Sequence, residues 1–279
     1  MHALRSILVA LHGSAPESAS QEVAIAWARR SGAEVMGLAV VDETVARRAA
    51  VPIGGTAFRR EERAVLLSEK QQSAHEALET FARRCQAEDI QFQGEVRGGV
   101  PHDLVAEEAQ RHDVVIVDNQ APEDYGAGES PAEVLERLIR ICPRPVVTVP
   151  QAYQPGNTIL VAFDGSPLAA RALFGLLGSG LGALWGVRLL TVDPQSEQSA
   201  RIRAQRGIDY LRQHQVETTF QAIVSDRPPA EVICEEAYRQ RCDSIVMGSH
   251  GRSALAKFLF GSVTKEVIAK STVPLFLYH

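Results

Sequence analysis

The chain has 279 residues, 45% of them hydrophobic and 23% charged, and a formal net charge of −5. This length holds one large domain or two medium ones and buries a substantial core without disulfides or metals. Mild acidity argues against sequence-independent nucleic-acid binding, which needs a broad positive field, and no apolar run reaches the roughly 18 residues of a membrane helix.

Taken in chain order, short apolar, β-branched runs alternate with longer amphipathic stretches. Strands are expected near 5–11, 34–41, 90–97, 113–118 and 145–149, with helices near 16–31, 61–88, 100–111 and 131–141. After a polar, turn-rich stretch at 151–156, strands follow near 158–163, 185–192, 217–224, 243–247 and 273–278, with helices near 167–178, 196–214, 229–240 and 262–270. A secretory leader would have to consume the strand at 7–11, so a cytoplasmic location is expected.

The order repeats. Ile7-Leu-Val-Ala-Leu-His-Gly-Ser14 recurs as Ile159-Leu-Val-Ala-Phe-Asp-Gly-Ser166, an offset of 152; Asp113-Val-Val-Ile-Val117 recurs as Asp243-Ser-Ile-Val-Met247, an offset of 130. The expected organisation is two tandem domains, 1–151 and 156–279, with the segment 42–60 lacking a counterpart in the second. Continuous apolar strands joined by helices predict doubly wound α/β domains, each a five-stranded parallel sheet. Ligands of such sheets sit at the carboxyl ends of the strands. The last strand reads as an apolar edge, open to pairing with 145–149 in a pseudo-dimer or with a second chain in a homodimer.

The chemistry-bearing segment follows the strand that ends at Met247. Gly248-Ser-His-Gly-Arg-Ser-Ala-Leu-Ala-Lys-Phe-Leu-Phe-Gly-Ser262 has the spacing G-x2-G-x9-G-S. Gly248, Gly251 and Gly261 permit unusual backbone angles and close approach of an anion. Ser262 is placed to cap the next helix, whose N-terminus attracts negative charge. Arg252 is either a phosphate donor or a solvated side chain. Neither the P-loop nor the G-x-G-x-x-G fingerprint is present.

Together, Ile159–Ser166, Asp243–Arg252 and Phe260-Gly-Ser-Val-Thr264 resemble the universal stress protein family in its tandem form. The resemblance implies a fold like that of the adenine nucleotide α-hydrolases, paired domains and, where the glycine motif is intact, ATP. It places phosphates against Gly248, Gly251, Gly261, Ser262 and the Val263 amide, beside Met247. Asp164 corresponds to an acidic residue near the ribose and a magnesium ion, and Val192 to a backbone position that reads adenine. Asp164 also suits an Asx turn, and the two roles can coexist.

The first copy departs from this pattern. His12 stands where the second has Asp164, and the loop 118–131 carries Asp118, Glu123, Asp124 and Glu129 in place of the first two glycines. Such carboxylates repel a triphosphate, so nucleotide is expected in the second copy only. His102 and His112, with Asp103 and Asp113, lack a tight ligand spacing, and the four cysteines, Cys85, Cys142, Cys234 and Cys242, form no C-x-x-C pair. Arg59-Arg60 and Arg83-Arg84 read as solvated helix faces. With no P-loop lysine or evident base, the expected function is ATP-dependent regulation; a weak magnesium-dependent ATPase and a binding module with a vestigial nucleotide site are the alternatives.

Overall fold

The computed structural model describes residues 3–11, 18–42, 56–119, 131–249 and 261–279. The first copy contributes β1 (Ser6–Leu11), α1 (Ala19–Ser31), β2 (Glu34–Asp42), α2 (Thr56–Ala87), β3 (Phe92–Gly99), α3 (Pro101–Glu108), β4 (Val114–Asp118), α4 (Pro131–Ile141) and β5 (Val146–Val149). The second contributes β6 (Thr158–Ala162), α5 (Pro167–Gly178), β7 (Gly186–Asp193), α6 (Glu197–Gln213), β8 (Thr218–Val224), α7 (Pro229–Arg239), β9 (Ser244–Gly248), α8 (Ser262–Lys270) and β10 (Leu275–Tyr278). Proline opens α3, α5 and α7, where its missing N–H costs no hydrogen bond.

All ten strands form one sheet in the order β3-β2-β1-β4-β5-β10-β9-β6-β7-β8. Each half is parallel, as expected for an α/β doubly wound fold, and the strand order reverses between β1 and β4 and again between β6 and β9. β10 is therefore no edge. It lies between β9 and β5, pairing antiparallel to the latter through Leu275↔Thr148, Phe276↔Val147 and Leu277↔Val146. Leu275, Phe276 and Leu277 are buried in the cores on the two faces of the sheet. The edges fall to β3 and β8, in which every residue is exposed or half-buried. The antiparallel seam points the carboxyl ends of the two halves in opposite directions.

Alternate side chains of each buried strand enter two cores. Ile7, Val9, Val161 and Phe276 pack under α1, α2, α5 and α6; Leu8, Leu160, Ile245 and Leu277 pack under α3, α4, α7 and α8. Both cores run through both halves. Helix α2 begins at Thr56, earlier than the expected 61, so part of the segment 42–60 is helical. The helix expected over 100–111 changes to a 3-10 turn at Ala109–Arg111. Arg84 is half-buried and donates to Gln21 Oε1 at 2.9 Å, rather than lying on a solvated face.

The duplication extends to buried charge. Glu108 and Glu236, at equivalent places in α3 and α7, each receive a two-pronged bond from an arginine three residues on, Arg111 and Arg239. Arg111 is foremost in holding Glu108 below the usual carboxylate range. Asp113 and Asp243 have diverged. Asp113 accepts the Arg5 and Ser6 amides of its own copy. Asp243 accepts Trp27 Nε1 of the first copy at 2.9 Å, the Tyr153 hydroxyl at 2.6 Å and the Gly156 amide at 3.3 Å. Beside it Trp27 meets Trp185 edge to face, and the Arg30 guanidinium stacks on Trp185 and donates to the Leu184 carbonyl.

Candidate functional site

The reversal between β6 and β9 brings the carboxyl ends of β9, β6 and β7 side by side, which places Gly248, Asp164 and Val192 at neighbouring strand ends. β9 ends at Met247, buried in the α7–α8 core, and Gly248, which pairs with Tyr278. A Cβ on Gly248 would lie 2.8 Å from the Leu168 carbonyl carbon and 2.9 Å from its oxygen, so α5 can approach β9 only because this residue is glycine. Unusual backbone angles are not the reason for glycine at either described loop position: Gly248 is absent from the positive-φ residues and Gly261 has φ −63 and ψ 155.

The other end of the loop is α8. Its N-cap is Gly261, with no side-chain cap, and Ser262 is the first helical residue, exposed to solvent. This corrects the expectation that Ser262 caps the helix; its hydroxyl is one position too far along. The first intrahelical bond is Lys265 N–H to the Gly261 carbonyl at 3.1 Å, so the amides of Ser262, Val263 and Thr264 lie at the electropositive end of the helix. Thr264, to which the sequence reading gave no role, is buried and donates its hydroxyl to the Gly248 carbonyl at 3.3 Å. That bond clasps the roots of the loop. Gly251 and Arg252 lie outside the described residues, as do His12, Glu123, Asp124 and Glu129.

Asp164 follows β6 and is exposed; its Oδ1 accepts the Ser166 amide at 2.9 Å in an Asx turn. Gly165, at φ 78, completes the turn, and Ser166 Oγ caps α5. Asp164 Oδ2 makes no hydrogen bond among the described residues. On β7, Phe163 N–H donates to the Leu190 carbonyl. Strand alternation turns the N–H and C=O of Val192 to the same side, past the end of β6. Neither makes a backbone hydrogen bond to β6 among the described residues. The edge thus offers amide donors at α8, a carboxylate at Asp164 and a donor–acceptor pair at Val192.

The first copy handles the equivalent corner differently. Asp118 replaces Gly248, and its carboxylate accepts Ser20 N–H at 3.1 Å and Ser20 Oγ–H at 3.0 Å, filling the start of α1 with the chain's own anion. Burial pushes this carboxyl above its usual range. Next to it, Asn119 Nδ2 donates to the Ile268 carbonyl near the end of α8. The histidines and aspartates do not converge: His112 is held by Ser6 Oγ and Glu108, whereas His102 lies beside Asp103. Among the described residues no group of three or more metal-ligating side chains occurs. The four cysteines are free thiols, three of them buried.

Fold and site together define a duplicated, doubly wound α/β protein whose second half carries a strand–loop–helix corner beside Asp164 and Val192. The profile described as the universal stress protein family matches residues 156–279. A universal stress protein of Thermus aquaticus, named for the QAH/OAS sulfhydrylase 3' region, is 30% identical over 136 residues, covering 43% of this chain and 97% of that protein. The universal stress protein Slr1230 of Synechocystis sp. is 28% identical over 147 residues, covering 52% of this chain and 50% of that protein, so the match spans half of this relative's length. The crystal structure of a universal stress protein from Archaeoglobus fulgidus superposes with a TM-score of 0.66 at 18% identity, covering 98% of this chain and 97% of that one, and shares the fold. The chain belongs to the universal stress protein family.

Proposed function

We propose that this protein binds one ATP per chain, in its second domain, and acts in the stress response through conformation and partner choice rather than turnover. The observation that carries the proposal is the start of α8, whose N-cap Gly261 has no side chain to cap it and which is clasped to β9 by the Thr264–Gly248 bond. Helix N-termini attract anions through their free amides and the helix dipole, and this one adjoins the strand ends that bear Asp164 and Val192. In this reading Ser262, Val263 and Gly261 hold the phosphates with Gly248, Gly251 and Arg252; Val192 reads adenine; and Asp164 meets the ribose. The open Asp164 oxygen also suits a magnesium ion shared with phosphate, since magnesium commonly takes one or two carboxylates plus phosphate oxygens. The domains are read as 1–151 and 156–279, joined as an intramolecular pair through β5 and β10, in a cytoplasmic protein.

Titration calorimetry tests this: ATP is expected to bind at one site per chain and Gly251→Glu to abolish binding. Two equal sites contradict the reading of the first domain, and absence of binding removes the proposal. The open Asp164 oxygen favours weak magnesium-dependent hydrolysis as a second reading; phosphate release above background, lost in Asp164→Ala with ATP still bound, is its expected result.

A further inference from the structure

Two turns frame the base end of the proposed site, and a single residue of α6 reaches both. Asp193 directly follows Val192 and its side chain is fully buried. Its Oδ1 accepts the Gln195 amide at 2.7 Å and the Ser196 amide at 3.3 Å, fixing the turn into α6. Its Oδ2 faces Arg203 Nη2 at 3.3 Å, an ion pair without an aligned hydrogen bond. The backbone of Arg203 meets the other turn: its carbonyl oxygen lies 3.1 Å, and its Cβ 3.3 Å, from where a Cβ on Gly165 would stand. Gly165 follows Asp164 and takes φ 78, a conformation that glycine adopts without strain. Arg203 thus reaches the neighbour of Val192 through its guanidinium and the neighbour of Asp164 through its main chain.

We propose that Arg203 is a positioning residue for nucleoside recognition, setting the spacing between the Val192 strand end and the Asp164 turn so that base and sugar are met together. The inference rests on the ATP-binding reading above. It separates the two ends of the ligand. The phosphates are assigned to α8 and its loop, whereas the base and ribose depend on two turns held in register. A preorganised site binds more tightly than one that must be assembled on binding. A bare triphosphate bypasses the Arg203-dependent half altogether.

The experiment titrates ATP and inorganic tripolyphosphate into the full chain, as wild type, Arg203→Met and Arg203→Lys, with thermal unfolding of each as a check on folding. If loss of the ion pair leaves the turns aligned about a tenth of the time, ATP binding weakens by about tenfold, since apparent affinity scales with the competent fraction. Tripolyphosphate binding stays unchanged, and lysine, which can still pair with Asp193, restores ATP binding. Should Arg203→Met fail to fold, Gly165→Ala presses on the same contact from the opposite side and is expected to give the same split. Equal weakening for both ligands, or no weakening for ATP, overturns the inference while leaving the ATP-binding reading intact. Wild-type protein that binds tripolyphosphate but not ATP overturns nucleoside recognition, and wild type that binds neither removes both readings.

Discussion

Gly248→Ala isolates the close approach on which the site is built. The added Cβ would meet three atoms of Leu168 at 2.8–2.9 Å, whereas favourable carbon contacts lie near 3.5–4.0 Å. Neither side yields readily: Gly248 is paired to Tyr278 in the sheet, and the first turn of α5 is pinned by the Ser166 cap and the Ala170 amide bond to the Ser166 carbonyl. Overpacking of this kind costs about 1–3 kcal/mol. The displacement also moves the carbonyl that Thr264 grips, so ATP affinity is expected to fall with stability. Urea unfolding and ATP titration measure the two effects. The control is Gly186→Ala, where nothing lies within 4 Å of the new Cβ and a change between zero and about 1 kcal/mol of stabilisation is expected from reduced chain entropy. A Gly248→Ala protein as stable as wild type, with ATP binding intact, would refute the steric argument.

Further predictions concern the first copy and the seam. Burial raises the Asp118 carboxyl above its ordinary range, so the folded chain holds that proton more tightly than the unfolded chain, and its contribution to stability is lost as pH rises. Asp118→Asn keeps both contacts with Ser20 and removes the buried charge. It should therefore raise the thermal midpoint at pH 7, with the gain shrinking as pH falls through the carboxylate range; destabilisation at pH 7 contradicts this. Trp27→Phe keeps an aromatic ring beside Trp185 but strips a donor from buried Asp243, and should cost about 1–3 kcal/mol in urea unfolding; no measurable loss would show the seam to be held elsewhere. Gly156→Ala should be more damaging, because its Cβ would fall on the backbone of Asp243, and a fully stable variant would contradict the threading of the linker.

Strands and helices were legible because their signals are local: Val114-Val-Ile-Val117 is apolar without alternation, as a strand covered on both faces requires. The pairing of β10 was harder to read, since an apolar terminal strand looks the same whether it is an edge or is buried against residues 146–149, far away in sequence. The reason for glycine in the motif was harder to read than its spacing. That spacing suggested backbone freedom, but Gly248 is required by the proximity of Leu168, which only the packing of α5 discloses. Thr264 and Asp118 show the same limit. Each carries its role through a bond to a residue remote in sequence, Gly248 or Ser20, and no periodicity encodes such a partner. Asp113 and Asp243 occupy the same motif position, yet the second serves the seam because Trp27 and Tyr153 happen to face it.

In the proposed mode of binding, the first amides of α8 receive a nucleotide's phosphates while Asp118 closes the matching corner of the first copy. Amide chemical shifts of the full chain during an ATP titration test it most directly. Large, saturable shifts are expected at Ser262, Val263 and Thr264 and none at Ser20. Unmoved α8 amides, or an equal response at Ser20, would contradict it.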